Sequence, residues 1–129
     1  MKEGKGIKEK SLYRRLGGYD VICAIVDAWF ARMAEDLKFA LFPAGRSDFS
    51  RKRTRQLTVD FLCETTGGPC HYFDLGIKTA HQGLGITAQL WNVNMSYLAE
   101  VLDQLELAQR EKKEFLNLVT AYKDSVVER

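Results

Sequence analysis

The amino-acid sequence predicts an all-α fold, and two of its features carry that prediction. The 129 residues contain only two prolines, Pro43 and Pro69, and both lie beside glycine-containing turns. Uninterrupted helices are therefore permitted almost everywhere else in the chain. Apolar residues also recur at the i, i+3, i+4, i+7 spacing that places them on one face of a helix. With 46% hydrophobic and 28% charged residues, the composition is that of a globular domain.

The first two predicted helices follow a charged segment at residues 1–10, which we expect to form a flexible arm. Ser11 is a typical N-cap for a short helix, which Gly17-Gly18 is predicted to end because glycine tolerates a left-handed conformation. Asp20 is predicted to cap the second helix. The apolar face of that second helix consists of Ile22, Ile25, Val26, Trp29, Phe30 and Met33.

A long middle helix is predicted from about Asp48 to Thr66. The glycines and proline of the GGP segment that follows it are typical of a helix end. Its predicted inward face is half apolar and half hydroxyl: Thr54, Leu57, Thr58, Phe61, Leu62 and Thr65. Either the threonine hydroxyls donate to carbonyls of their own helix, or this face lines a pocket for a ligand that is not wholly apolar.

The opposite face of the middle helix is basic, with Arg51, Lys52, Arg53 and Arg55 on it and Arg46 just upstream. A solvated surface, or an anchor for the carboxylates of a bound cofactor, would explain these charges. Nucleic-acid binding is disfavoured because neither interleaved aromatic residues nor a glycine-rich phosphate loop accompanies them. The net charge of +2, from 19 basic and 17 acidic residues, also gives no indication of a polyanionic partner.

The last third of the chain is predicted to hold a helix of about eight residues and then two longer helices. The short helix carries Ile77, Ala80, His81 and Leu84 on one side. The next runs from about Thr87 to Leu105. The inward faces of the two longer helices are Trp91, Met95, Leu98, Leu102 and Leu105, and then Phe115, Leu118, Val119, Tyr122 and Val126. We see no second domain, so residues 11–129 are predicted to form a single one.

Three cysteines, Cys23, Cys63 and Cys70, lack any C-x-x-C spacing. We interpret them as buried thiols rather than as a Cys63–Cys70 bridge or as metal ligands. The start of the chain lacks an apolar stretch of signal-peptide length, and no window approaches the ~20 apolar residues of a membrane span. We therefore expect a cytoplasmic protein without a membrane span.

His81 is the residue most open to a functional interpretation. A histidine on the apolar side of a short helix is commonly a core residue with one satisfied hydrogen bond. A single neutral imidazole on a helix is, however, also sufficient protein ligation for haem iron. No serine nucleophile elbow, phosphate loop or paired-carboxylate motif in the sequence indicates another chemistry. The second histidine, His71, is interpreted as an exposed loop residue.

Several short motifs give the chain a family resemblance: SLYRRLGGYDVI from Ser11, the pairs Trp29-Phe30 and Leu41-Phe42, GGP from Gly67, and AHQGLGIT from Ala80. Each motif is weak alone, but their order and spacing are specific. Together they resemble the truncated haemoglobins, and most of all the first group of that family. The resemblance covers nearly the whole chain from Ser11.

The resemblance implies a shortened, two-over-two helical globin that binds haem b. His81 would be the proximal iron ligand, and Phe42 would pack on the haem. Thr54 and Thr58 would form the distal wall, nearest the vacant coordination position. The remaining walls of the haem pocket would be formed by Phe61, Leu62, Tyr72, Ile86 and Trp91.

The chain departs from the family pattern on the distal side. Many relatives have a tyrosine where this chain has Phe30, and a glutamine or another strongly polar residue at the position of Thr58. A tyrosine hydroxyl donates a hydrogen bond to bound dioxygen, and Phe30 has none to donate. Thr54, Thr58 and Asn94 remain as candidate donors, and we expect faster oxygen release and easier iron oxidation than in tyrosine-bearing relatives.

Two functions from different classes follow. The first is a haem protein, monomeric or weakly dimeric, that binds dioxygen, nitric oxide or carbon monoxide and is reduced by an unidentified reductase. The sequence leaves open whether it also turns its ligand over, as a nitric oxide dioxygenase or with peroxidase-like activity. The second is a haem-free helical interaction or sensor module that presents the Arg46 to Arg55 surface to an acidic partner.

Overall fold

The structure is a computed structural model that describes residues 10–40, 47–72 and 76–128. All regular secondary structure in these ranges is helical, which confirms the all-α prediction. The helices are α1 Leu12–Leu16, α2 Tyr19–Ala34, α3 Leu37–Ala40, α4 Asp48–Thr65, α5 Ile77–His81, α6 Ala88–Gln104, α7 Gln109–Thr120 and α8 Lys123–Val126. None of them, within the described ranges, is long and apolar enough to cross a membrane.

Some predicted segments cannot be compared with this structure. Leu41, Phe42, Pro43 and Arg46 lie outside the described residues, as does the predicted arm except for Lys10. The division of the chain into an arm at residues 1–10 and a single domain at residues 11–129 stays a prediction.

The first helix is bounded as its sequence predicts. The Ser11 hydroxyl accepts a hydrogen bond from the Arg14 amide. At the other end Gly17 has φ 120°, and a Cβ there would lie 2.7 Å from a methyl carbon of Val21. Only glycine combines that backbone angle with that close approach without strain.

The second helix begins two residues earlier than predicted. Gly18, not Asp20, is its N-cap, and Asp20 lies within the first turn. The prediction of an Asp20 cap is therefore wrong. The carboxylate still lies near the positive end of the helix dipole, where a negative charge is favourable.

The end of α4 contacts the start of the chain. The amides of Gly67 and Gly68 donate to the carbonyls of Glu64 and Cys63, which ends the helix. A Cβ at Gly68 would lie 2.5 Å from a ring carbon of Tyr13. Glycine at this position therefore lets α1 pack directly on the turn after α4.

Helix α2 is central to the packing. It packs against α4 on one side and α6 on the other, and α6 packs against α7. Two helix pairs, α2 with α4 and α6 with α7, are thus joined through α2 and α6. The buried cluster between them includes Ile22, Ile25, Val26, Leu98, Leu102 and Phe115, all fully buried. Trp29, Phe30 and Met33, predicted on the same inward face of α2, are only partly buried.

The face that α4 turns to the core differs from the predicted one. Its buried residues are Val59, Leu62 and Cys63, and Thr66 just beyond the helix is also buried. Thr54, Leu57, Thr58, Phe61 and Thr65, which were predicted to face inward, are half-buried. Both sets follow helical spacing, so the spacing could not choose between them. The structure decides it: α4 packs on α2, and Val59 is a completely buried member of the core cluster.

The cysteine prediction is wrong for two of the three residues. Cys63 and Cys70 form a disulfide, with their Cα atoms 5.7 Å apart. The turn through Gly67, Gly68 and Pro69 brings the chain back to the end of α4 and places the two residues within bonding reach. Cys23 alone is a free thiol.

The predicted short helix and the predicted final helix are both shorter than expected. Helix α5 has five residues rather than about eight. The final helix is interrupted at Ala121 and Tyr122, after which α8 begins at Lys123. Helix α5 packs against α8, so the short helix that carries His81 is supported by the C-terminal segment.

Candidate functional site

The His81 side chain is held in a defined orientation at the end of α5. Its Nδ1 atom lies 2.8 Å from the carbonyl oxygen of Ile77, and the residue is half-buried. A carbonyl can only accept, so Nδ1 carries the proton and the lone pair of the neutral ring lies on Nε2. A histidine oriented in this way is suited to bind a metal ion through Nε2.

The loop after His81 is attached to the C-terminal segment. The Glu128 carboxylate accepts hydrogen bonds from the amides of Gly85, at 2.6 Å, and Gly83, at 3.1 Å. The Glu128 amide in turn donates to the Ile86 carbonyl at 2.8 Å. The amide of Gly85, and then that of Gly83, lower the pKa of Glu128 because they stabilise its charged form.

Sequence reasoning missed this contact, which we call the Glu128–loop contact. Its partners are backbone amides, and no residue pattern marks them in advance. The only signal was the pair Gly83 and Gly85, whose φ angles of 84° and 70° lie in the left-handed region. Such angles point successive amides outward, where a carboxylate can accept from them.

Trp29 on α2 and Asn94 on α6 form a side-chain pair that joins the two helices. The indole Nε1 of Trp29 donates to Oδ1 of Asn94 at 2.9 Å. The ring of Phe30 is tilted by 50° to that of Trp29, with their centroids 6.4 Å apart. Phe30 is half-buried and packs against the core cluster. The two candidate distal residues Phe30 and Asn94 therefore both contact Trp29.

The two candidate distal threonines use their hydroxyl protons within α4. Thr54 Oγ1 donates to the Ser50 carbonyl at 3.0 Å, and Thr58 Oγ1 donates to the Thr54 carbonyl at 2.9 Å. A hydroxyl has a single proton to donate. These two hydrogen bonds agree with the first interpretation of the threonine face, in which the hydroxyls donate to carbonyls of their own helix.

The predicted pocket walls fall into two groups. Leu62 and Trp91 are buried members of the core, 2% and 9% exposed. Phe61, Tyr72 and Ile86 are only partly buried. Phe61 also contacts two rings edge-on, with centroid distances of 5.6 Å to Tyr72 and 4.9 Å to Tyr122. Tyr122, which was predicted only as a core residue of the last helix, is thus also an aromatic neighbour of the predicted pocket wall.

The basic face of α4 is partly engaged by acidic residues. Arg55 donates two hydrogen bonds of 2.9 Å to the Asp27 carboxylate on α2. Arg51 forms an ion pair with Asp48 one turn away. The bond from Arg55 lowers the pKa of Asp27. Arg55 therefore joins two helices and is not a freely presented surface charge.

His71 is exposed, as predicted, and its Nδ1 lies 3.5 Å from a carboxylate oxygen of Glu64. The same carboxylate accepts from the Tyr72 amide at 3.3 Å. His71 is thus near the surface end of α4, whereas His81 is half-buried on α5.

The described residues fit the chemical requirements of haem. Helices α4 and α6 both pack on α2 but not closely on each other. Apolar side chains that pack against the core but remain partly exposed include Phe30, Phe61, Ile77, Ile86 and Met95. A flat apolar cofactor needs such incompletely covered apolar surface, together with one imidazole in the metal-binding tautomer. An all-helical protein with this arrangement has the properties of a haem-binding globin.

Comparison with known proteins identifies the family. The model of the bacterial-like globin family matches residues 11–128, and the chain belongs to that family. It is similar to a group 1 truncated haemoglobin of Mycolicibacterium paratuberculosis, with 28% identity over 109 residues that cover 84% of this chain and 78% of that protein. The family carries haem, so the chain is a haem-binding globin.

Solved structures confirm the fold. The Fe(III) form of the truncated haemoglobin from Tetrahymena pyriformis matches with a TM-score of 0.84 and 20% identity, over 93% of this chain and 100% of that one. The 2/2 haemoglobin of Synechococcus sp. PCC 7002, in the cyanomet state with covalently attached haem, matches with a TM-score of 0.83 and 21% identity over 93% and 100%. The predicted two-over-two globin fold and the resemblance to truncated haemoglobins are confirmed.

Proposed function

We propose that this chain binds haem b and, at the iron, a small gaseous ligand such as dioxygen, nitric oxide or carbon monoxide. His81 is the proximal ligand in this proposal. The observation that carries it is the hydrogen bond between His81 Nδ1 and the Ile77 carbonyl, because it leaves the Nε2 lone pair for iron. Haem supplies the ligand-binding and redox chemistry, and the protein supplies orientation and pocket polarity.

The other candidate residues form two groups, those on the distal side of the haem and those in the walls of the haem pocket. Phe30, Thr54, Thr58 and Asn94 form the distal side, where the gaseous ligand binds. The proposed haem-contacting walls are Phe42, Phe61, Leu62, Tyr72, Ile86 and Trp91. Because Phe30 has no hydroxyl and both threonines donate within their helix, the distal side has few protons to offer a polar ligand.

The two histidines provide a matched test of haem binding. Protein expressed with sufficient haem and iron is expected to show a strong Soret band, which His81→Gly abolishes or greatly weakens. Added imidazole is expected to restore the band in that variant, because it can occupy the space left by the missing side chain. His71→Gly serves as the control and is expected to keep the band, since His71 is exposed. A colourless, folded wild-type protein would overturn the proposal.

A second test addresses the distal assignment of Phe30. In Phe30→Tyr a hydroxyl is added, and a donor in a pocket of low dielectric stabilises bound dioxygen by about 1–3 kcal/mol. Oxygen dissociation, measured by stopped flow, is expected to slow by roughly 5- to 150-fold. Phe49→Tyr, at a residue 78% exposed on α4, adds the same hydroxyl elsewhere and is expected to change nothing. An unchanged or faster rate in Phe30→Tyr contradicts the assignment.

Turnover of the ligand would require an electron donor. Nitric oxide dioxygenation converts nitric oxide and dioxygen to nitrate and takes one electron per turnover through the haem, so a reductase would have to supply that electron. Steady consumption of nitric oxide with a reductase present, continuing until many molecules have been consumed per haem, would assign that activity.

The alternative of a haem-free interaction module has less support. It relied on the basic surface from Arg46 to Arg55. Arg55 is bonded to Asp27 and Arg51 to Asp48, so an acidic partner would have to displace existing carboxylates. We therefore propose the haem-binding function alone.

A further inference from the structure

The hydrogen bond between Trp29 and Asn94 determines which way the Asn94 amide faces. An indole N–H can donate but cannot accept. The atom of Asn94 that lies 2.9 Å from Trp29 Nε1 must therefore be the amide oxygen. The two amide N–H groups, on Nδ2, then lie on the other branch of the same planar group. The usual ambiguity between the oxygen and the nitrogen of an asparagine side chain is absent here.

The amide N–H groups of Asn94 have no hydrogen-bond partner among the described residues, although the side chain is partly buried. A partly buried amide whose oxygen is bonded and whose NH₂ group is not is placed to donate to something else. The other candidate donors on this side do not offer a proton. Phe30 has none, and Thr54 and Thr58 donate to carbonyls of α4.

We infer that Asn94 is the hydrogen-bond donor to the gaseous ligand and that Trp29 is its positioning residue. This inference depends on the proposed haem function. Trp29 acts through the amide oxygen, and its bond fixes the orientation of the NH₂ group on the same planar amide. Without that bond, the side chain of a helical asparagine can rotate and donate to a backbone carbonyl of its own helix. The donor would then be lost even though Asn94 itself was still present.

The position of Trp29 supports a directed role rather than packing alone. It lies on α2 next to Phe30, and its donor reaches across to α6. A phenylalanine at position 29 would keep most of the apolar contact while removing the N–H. The chain therefore offers a substitution that separates the hydrogen bond from the packing.

The inference is tested with Trp29→Phe, Asn94→Leu and the double variant, all reconstituted with haem. Asn92→Leu, at an exposed asparagine on the same helix, is the matched control. The first readout is the C–O stretching frequency of the ferrous carbon monoxide complex, which rises when a nearby donor is removed. The second is oxygen dissociation by stopped flow, expected to be about fivefold faster for the loss of one hydrogen bond. The third is the indole N–H resonance of Trp29 in the apoprotein, which requires no haem.

Asn94→Leu and Trp29→Phe are each expected to raise the C–O frequency and speed oxygen release, and Asn92→Leu to do neither. In the Asn94→Leu background, Trp29→Phe is expected to have no further effect, because it acts only through the amide. The Trp29 indole resonance should shift in Asn94→Leu. If all variants show a normal Soret band but Asn94→Leu leaves the C–O frequency unchanged, this inference is overturned and the haem function stands. If no variant, nor the wild type, binds haem, both fail together.

Discussion

The two sides of the proposed haem site are built in different ways. The side formed by α2 and α4 consists of long helices joined by buried residues such as Ile25 and Val59, both fully buried. A disulfide, Cys63–Cys70, holds the end of α4. The His81 side consists of a five-residue helix and a loop. Its main described attachments are the packing of α5 on α8 and the Glu128–loop contact.

The difference indicates a division of roles. Apolar burial and a covalent bond stabilise the whole fold, because both are lost only when the helices separate. Hydrogen bonds from exposed backbone amides to one carboxylate open at a much lower free energy than global unfolding. We therefore expect changes on the α2 and α4 side to alter global stability, and changes at the Glu128–loop contact to alter His81 locally.

The largest expected effect on stability is at the disulfide. Reduction, or Cys70→Ala, removes a covalent link between residues separated by seven positions. The chain-entropy estimate for so short a loop is about 2–3 kcal/mol of unfolding free energy. Urea unfolding with and without reductant measures it. If the two sides are independent, breaking the disulfide leaves the position of the Soret band unchanged.

The Cys70→Ala variant also supplies the control for that experiment. Reductant is expected to destabilise the wild type but to have no effect on Cys70→Ala, because the variant has no bridge to lose: its two cysteines, Cys23 and Cys63, are both thiols. Equal unfolding midpoints for the wild type in oxidising and reducing buffer would show that the bridge adds no stability.

The sequence predicted the helices more completely than the contacts between them. Helix ends depend on local chemistry, so Ser11 and the glycines after Leu16 could be assigned from neighbouring residues alone. The Trp29 to Asn94 bond joins residues 65 positions apart, and no local pattern specifies such a pair. Cys63 and Cys70 were missed for another reason: their spacing matches no motif, and only the turn between them makes the bridge.

Within the site, the candidate residues could be predicted from the sequence, but the acceptor to which each of them donates a hydrogen bond could not. His81 could be singled out because a lone imidazole on a short helix is an unusual feature. Thr54 and Thr58 could be singled out as hydroxyls on a predicted inward face. Whether each hydroxyl donates to its own helix or to a ligand depends on side-chain rotation. That choice is visible only in the structure.

The next prediction concerns the Glu128–loop contact. In Glu128→Gln the carboxylate charge that accepts from Gly85 and Gly83 is lost, so the loop after His81 should open more often. Hydrogen exchange at the Gly83 and Gly85 amides, measured at neutral pH, is expected to be faster than in the wild type. Haem loss to an acceptor protein should also be faster, whereas the urea midpoint should change little. Glu106→Gln, at an exposed residue of another loop, is the control.

The same contact has a pH dependence of known sign. Because the pKa of Glu128 is lowered in the folded protein, its stabilising effect is present above the ordinary glutamate pKa of about 4.3 and is lost as pH falls through the lower folded value. In the wild type, haem loss should therefore accelerate as the pH falls below about 4.3. Glu128→Gln should lack that component. Identical acid profiles for the two proteins would show that a group other than Glu128 controls haem loss in acid.

The smallest expected effect is at the ion pair between Asp27 and Arg55, which lies on the stable side but at its surface. The side chains are 59% and 33% exposed, so solvent screens the pair, and it should contribute at most about 1 kcal/mol. Its share of stability is present above the ordinary aspartate pKa of about 3.9 and is lost as pH falls through the lowered value. A double-mutant cycle with Asp27→Asn and Arg55→Gln, read by urea unfolding at low and high salt, measures the coupling. A coupling well above 1 kcal/mol that persists in high salt would mean that this surface pair, and not only the buried cluster, holds α2 against α4.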